Sequence, residues 1–305
     1  MTVPARALDH VRALFPAPGP AGLSGLFERA PITVSFHPDR VAASGRTVAE
    51  SLAAEGVYRS QFETGISNGG LGGPRVSWEE QMFPGVYAGP LGRPVYGGLN
   101  LAGYPDGASP RFGSCHLVLR SAVAERATFS HGDSVTSPTV VGTAATFGAV
   151  WAALLDEVAT TGWALGLAAD SPDSWVSLVG APRSVAGRAL DSYVEAQIHG
   201  GLALSDDVAA VVADPSFRGT PYERHLASLT GTVTWSPGFT LRPAEFPADL
   251  RGPEVPPLAA EIAGRYGVTE LDAAVIGRAA REPGAPLQLI KYLWHILVLL
   301  GRPAC

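Results

Sequence analysis

The segment Ser192-Tyr193-Val194-Glu195-Ala196-Gln197-Ile198-His199 decides how the rest of the chain is read. Tyr193, Glu195, Gln197 and His199 alternate with Val194, Ala196 and Ile198, a period of two that predicts a β-strand with one polar and one apolar face. Successive side chains on one face of a strand stand roughly 7 Å apart, so one sugar-sized ligand can meet three of them. A sheet face that met only water would favour Lys, Arg and Thr over a Glu, Gln and His set. Glu195, Gln197 and His199 are therefore the candidate catalytic residues.

Working outward, Ile32 to Phe36, Val95 to Leu101, Ser114 to Arg120 and Thr232 to Trp235 predict further strands, with Ala127 to Ser130 a neighbour of the 114–120 strand. Helices are expected over 4–14 and 21–29, on either side of a Pro-rich break. The series Thr47-Val48-Ala49-Glu50 is a capping box that opens a helix running to Glu55 and closed by Gly56. A second box at Ser77 to Glu80 predicts a shorter helix. Thr143 to Val158 is amphipathic, and Asp206 to Ala213 and Pro221 to Leu229 also read as helices. Leu258 to Tyr266, Thr269 to Ala280 and Leu287 to Leu300 predict a helical end. The fold class is α+β, with an N-terminal helical segment (1–30), a main domain (31–240), a Pro-rich connector (241–257) and a C-terminal helical segment (258–305).

Composition narrows the function. The 305 residues carry a net charge of −6, which disfavours nucleic acid as a partner, and are 46% hydrophobic, enough for a sizeable core. With 36 Gly and 26 Pro, loops take up much of the chain and a helix bundle is disfavoured. Two cysteines cannot build a disulfide framework or a Cys-rich zinc module. The apolar stretch Leu287 to Leu300 contains Lys291 and is shorter than the about 20 residues a membrane span needs. Arg6, Asp9, His10 and Arg12 interrupt any signal-peptide core, so the cytoplasm is the default location. Of the 22 basic residues all but Lys291 are Arg. Coding bias explains this; the sharper reading is a protein that meets a ubiquitylation system and lacks acceptor lysines.

Two segments carry chemistry beside the late strand. His37-Pro38-Asp39-Arg40 sets an imidazole, a carboxylate and a guanidinium at a strand end, where ligand-binding groups are well fixed, although a solvated turn gives the same pattern. Tyr58 to Gly70 compresses Tyr58, Gln61, Phe62, Glu63, Thr64, Gly65, Ser67 and Asn68 into one loop. Glycines let backbone N–H groups approach a phosphate or ribose, and Ser, Thr and Asn add neutral hydrogen bonds. The loop matches neither the P-loop nor the Rossmann fingerprint, and a loop stabilised by its own side chains is the plain alternative. Cys115 and His116 are adjacent strand residues that point to opposite faces, so they do not form a nucleophile and base pair. A hydrolase using Cys115 with a remote His, a zinc site built from scattered histidines, and a non-catalytic binding module are the competing classes.

Taken together, Ser-Phe-His-Pro-Asp-Arg, the Tyr58 to Gly70 loop, Phe-Gly-Ser-Cys-His-Leu, Ser-His-Gly-Asp-Ser, Val-Glu-Ala-Gln-Ile-His-Gly and Asp-Pro-Ser-Phe-Arg-Gly-Thr resemble the CHYPS group of bacterial mono-ADP-ribosyltransferases over about Ile32 to Thr240. The resemblance implies split antiparallel sheets that grip NAD+ in a cleft. It also implies transfer of ADP-ribose to a threonine hydroxyl of ubiquitin in the effector members, which act inside a host cell. In ADP-ribosyltransferases an early strand supplies His or Arg to the dinucleotide, a middle segment supplies Ser or Tyr near the nicotinamide ribose, and a late strand supplies the catalytic Glu. His37 and Arg40, then Tyr58 to Asn68, then Glu195 fall in that order. Arginine-transferring enzymes carry Glu or Gln two positions before the catalytic Glu. Here Glu195 precedes Gln197, which argues against an arginine acceptor and leaves open which of the two holds the catalytic position. The chemistry itself asks for a fixed carboxylate, because breaking the nicotinamide glycosidic bond develops an oxocarbenium cation. Glu195 on its strand meets that need, with Glu63 in reserve. No metal is expected.

Overall fold

In the computed structural model, residues 2–19, 25–65, 73–187 and 190–304 are described. They form a mixed α+β architecture around an antiparallel sheet with one parallel edge pair. The strands are β1 (Ile32–Phe36), β2 (Val95–Leu99), β3 (Cys115–Leu119), β4 (Ala127–His131), β5 (Val141–Thr143), β6 (Trp163–Ala164), β7 (Leu167–Ala168), β8 (Val194–Ile198), β9 (Val208–Ala213) and β10 (Thr234–Trp235). Eight of them make one sheet in the order β10-β9-β3-β1-β2-β8-β4-β5, and β6 and β7 form a separate hairpin. Only β9 and β10 pair in parallel. The helices are α1 (Val3–Leu14), α2 (Leu26–Arg29), α3 (Val48–Glu55), α4 (Gln61–Thr64), α5 (Pro74–Met82), α6 (Gly148–Thr161), α7 (Pro172–Leu178), α8 (Leu204–Asp207), α9 (Pro221–Thr230), α10 (Val255–Tyr266), α11 (Ala273–Ala280) and α12 (Leu287–Leu300).

Register sorts the two sheet faces. Thr33 lies opposite Gly98, Ser35 opposite His116, Tyr96 and Thr128 opposite Gln197, and Gly98 and Ser130 opposite Glu195, so these residues share one polar face. Val34, Phe36, Cys115, Leu117, Phe129, Val194, Ala196 and Ile198 fill the other face and are buried. On that apolar side Phe129 meets Phe27 of α2 at 5.2 Å and Phe147, just before α6, at 5.6 Å between ring centroids. Core residues of α10, α11 and α12, among them Ile262, Ile276 and Leu293, belong to the same hydrophobic cluster as the sheet.

Local chemistry accounts for the ends of most elements. The Thr47 and Glu50 capping box forms as the spacing predicts, with Glu50 Oε2 accepting from Thr47 N at 2.7 Å, and Gly56 closes α3 at φ +67°. The box at Ser77 does not open a helix. Ser77 lies inside α5, which starts at Gly73 with Pro74 as its first residue, a position where the missing N–H costs nothing. The expected helix over Asp206 to Ala213 is instead the one-turn α8 followed by strand β9. The Val and Ala run fits either period, and the open edge of β3 decides for a strand, pairing Cys115 with Ala213 and Leu117 with Val211. Strand β4 is not a neighbour of β3. A 3₁₀ helix at Ser121–Arg126 carries the chain away, and β4 pairs with β8 and β5. No helix among the described residues is long and apolar enough to cross a membrane.

Candidate functional site

The polar face opens into a cleft of about 1010 Å³. Ser35 of β1, Tyr96 of β2 and Glu195 of β8 line it, together with His37, where β1 ends. Residues of the 58–64 segment and Arg75 border it on one side, and Arg111, Lys291 and Trp294 on another. The turn bearing Arg111 lies directly on the end of β1. A Cβ on Gly113 would fall 2.2 Å from backbone atoms of Phe36, so only glycine allows this approach. Trp294 ties α12 to the same place: its indole N–H donates to Pro110 O at 2.9 Å, and its ring meets His37 edge-on at 5.1 Å.

Glu195 is 2% exposed and held from several directions. Ser134 N–H donates to Oε1 at 3.1 Å and the Gln197 amide at 3.0 Å, while Tyr193 OH donates to Oε2 at 3.3 Å. Arg75 Nη2 stands 3.5 Å from Oε2. Burial pushes the carboxyl up to about 7; Arg75 opposes this and the nearby Asp133 adds to it. Arg75 is the hub of the arrangement. It donates to Ser134 Oγ (2.7 Å), Gln61 Oε1 (2.9 Å) and Asp133 Oδ1 (3.0 Å), and lies 4.4 Å over the Tyr96 ring. Tyr96 OH in turn donates to Glu79, which also pairs with Arg93.

The predicted trio on β8 divides. Glu195 lines the cleft; Gln197 and His199 share its face but are fully buried and do not reach the cleft. They therefore do not meet a ligand beside Glu195, as the strand spacing had suggested, because α5 and the turn after it cover that end of the face. Phe83 packs against His199 at 4.9 Å, and the His199 Nδ1 contact goes to Tyr87 OH. Burial, with Arg126 nearby, pushes His199 down to about 3, so the ring is neutral and carries one N–H. Thr128 donates its hydroxyl proton to Gln197 Oε1 at 2.8 Å and so accepts from His199 Nε2 at 3.1 Å, which leaves Nδ1 to accept from Tyr87. Gln197 then donates to Ser130 Oγ and to Glu195, each at 3.0 Å. Every donor in this line points toward the Glu195 carboxylate.

Of the expected cofactor-binding residues, His37, Arg40, Tyr58, Gln61, Glu63 and Thr64 line the cleft. Burial and Arg40 hold His37 well below its usual range, so it is neutral, and its Nδ1 lies 3.3 Å from Ser114 Oγ. Phe62 turns inward beneath the Arg93 guanidinium at 4.9 Å and does not line the cleft. Gly65 caps α4 at φ +63°, a role that explains this glycine without a ligand. Ser67 and Asn68 lie outside the described residues. Glu63 caps the start of α4 by accepting from Ser60 N–H at 3.0 Å and faces Arg59 at 3.6 Å, so its carboxylate is already engaged.

The sequence reading missed Arg75 and Tyr96. Nothing in Gly73-Pro74-Arg75 marks a hub. Tyr96 was visible as the one polar-tipped residue of a strand that continues Gly97-Gly98. Asp133 caps its turn through Val135 N–H at 2.9 Å and pairs with Arg75, and Ser134 serves Glu195. His131 is drawn off to Glu157 at 2.9 Å. Cys115 is fully buried on the opposite face, with its thiol pushed far up by burial. His116 is pushed down to about 4 by burial, and neither residue lines the cleft.

Residues 31–300 match the model of the family described as a protein of unknown function, DUF3626. The chain belongs to that family. The DUF3626 match takes in the whole sheet, the cleft and helices α10, α11 and α12, so the C-terminal helices lie inside the matched extent of the family. No curated protein matches the chain.

Proposed function

We propose that this DUF3626 protein is a mono-ADP-ribosyltransferase that cleaves NAD+ and passes ADP-ribose to a protein hydroxyl. The observation that carries the reading is Glu195, a buried carboxylate fixed by four neighbours at the edge of a large cleft. Strand order supports it: β1, β2 and β8 are adjacent, so His37, Tyr96 and Glu195, far apart in sequence, line one cleft. An ADP-ribosyltransferase-like sheet around a dinucleotide site is the finer fold assignment under the same proposal. The cleft also suits such a ligand chemically. Ser35 Oγ and Ser60 Oγ are buried without hydrogen-bond partners among the described residues, and both residues line it.

In this mechanism the ionised Glu195 stabilises the ribosyl oxocarbenium as the glycosidic bond breaks and nicotinamide leaves with the bonding electrons. The acceptor oxygen then bonds to the ribosyl carbon and releases its proton. Arg75, Ser134 and Gln197 keep the carboxylate in place, so little reorganisation is needed as charge develops. A neutral His37 and Tyr96 offer hydrogen bonds without repelling the cation. The acceptor is a threonine hydroxyl, and ubiquitin is the acceptor protein to test first; both rest on the resemblance. Cys115, buried on the far face, is outside this chemistry.

The test is incubation with labelled NAD+ and ubiquitin, followed by mass spectrometry. Released nicotinamide and an added ADP-ribose on threonine are expected. No cleavage of NAD+ at millimolar concentration removes the enzymatic reading, and modification of arginine removes the acceptor assignment.

A further inference from the structure

The cleft carries more positive than negative charge, although the chain as a whole is acidic. Six cations and four carboxylates line it. Each carboxylate is engaged: Asp39 by Arg281, Glu55 and Glu63 by Arg59, and Glu195 by Arg75. Arg111 has Asp133 and Asp191. Arg40 and Lys291 have no ion-pair partner among the described residues. They come from opposite ends of the fold, one just after β1 and the other on α12. Leu287, Gln288, Lys291 and Trp294 follow at helical spacing and turn one face of α12 into the cleft. Trp294 holds that face rigidly by its bond to Pro110 and its contact with His37. Arg40, Arg111 and Lys291 are thus held around one opening; burial first, then Arg111, Arg251 and Arg40, lower the lysine's pKa. Arg111 has its own carboxylates, so Arg40 and Lys291 are, among the described residues, the uncompensated charges of the cleft and focus a positive potential that favours an incoming anion.

We infer that Lys291 is a ligand-binding residue, which with Arg40 and Arg111 receives the phosphate oxygens of a diphosphate-bearing ligand and so makes α12 part of the binding site. The choice of a diphosphate rests on the ADP-ribosyl reading; the demand for an anion does not. The acceptor protein has no part in this contact.

Lys291 is the chain's single lysine, so an amine-directed reagent reports on it directly. The intact wild-type protein is reductively methylated in the presence of inorganic pyrophosphate, NAD+, malonate or adenosine, and the rate at Lys291 is read by peptide mass spectrometry. Pyrophosphate and NAD+ are expected to slow it at least severalfold, while malonate and adenosine leave it unchanged. In Lys291→Ala, pyrophosphate should bind about tenfold more weakly, and Lys291→Arg should restore most of the affinity. Protection by pyrophosphate but not NAD+ upholds the anion site and removes the ADP-ribosyl reading. No protection by pyrophosphate overturns the inference, and if NAD+ is still cleaved the enzymatic reading survives without it. Equal protection by malonate overturns the diphosphate assignment.

Discussion

At the scale of single residues, Glu195 makes the sharpest predictions. Glu195→Gln keeps the shape and loses the charge, so NAD+ cleavage should fall by about 100-fold or more. Because Glu195 acts ionised and titrates near 7, the wild-type rate should rise with pH through that value, a limb read from the pH profile of single turnovers. Stability runs the other way. Folding raises the group from 4.5 to about 7, so the folded chain binds more protons across that window and loses this contribution as pH rises through it. The stability of Glu195→Gln relative to wild type should therefore grow between about pH 5 and pH 8, measured by urea unfolding at both. The donor line behind Glu195 makes a separate prediction. Thr128→Val removes the hydroxyl that fixes the Gln197 amide, so the Glu195 titration should move upward by about one unit, and Thr128→Ser should restore it. A pH profile identical to wild type would show that the line does nothing for the carboxylate. Gln197→Ala should depress NAD+ hydrolysis and transfer alike, since Gln197 reaches the chemistry only through Glu195.

Among elements, α11 sets the position of the cleft wall through one contact. Asp39, 1% exposed, pairs with Arg281 just beyond α11, and its carboxylate fills the space beside Gly277, where a Cβ would lie 1.9 Å from Oδ2. Gly277→Ala must push that carboxylate aside or shift the helix, and should cost roughly 1–3 kcal/mol in urea unfolding. A loss below a few tenths of a kcal/mol would mean that Asp39 moves freely. This contact also explains Asp39 in the motif His37-Pro38-Asp39-Arg40, where the plain reading of a local turn missed a partner 242 residues away.

For the whole molecule, the C-terminal helices are joined to the sheet through one core. The C-terminal helical segment expected over 258–305 appears as α10, α11 and α12, which share the sheet's hydrophobic cluster, and α12 lines the cleft. A chain ending at residue 257 would lack Ile262, Ile276, Leu293 and Trp294 and would expose the core they cover. It should lose cooperative thermal unfolding, and NAD+ should no longer raise its melting temperature as mass action requires of the full chain. A truncated chain that melts cooperatively and still responds to NAD+ would show that the sheet and its cleft stand without these helices.

What was legible from the sequence is what local forces decide. The capping box at Thr47, the strand Ile32 to Phe36, the polar and apolar faces of Ser192 to His199 and the apolar run of α12 follow from hydrogen bonds and periodicity within a few residues. Candidate residues such as His37 and Glu195 stood out because charge at a strand end or on a strand face is costly without a use. Longer-range competition settled the rest. Val208 to Ala213 became a strand only because β3 offered an unpaired edge, and Gln197 and His199 left the candidate ligand surface only because α5 and Tyr87 cover them. Arg75 and Lys291 carry no local signal, since a side chain becomes part of a site when distant elements place it against the same space. Tertiary packing alone supplies that placement.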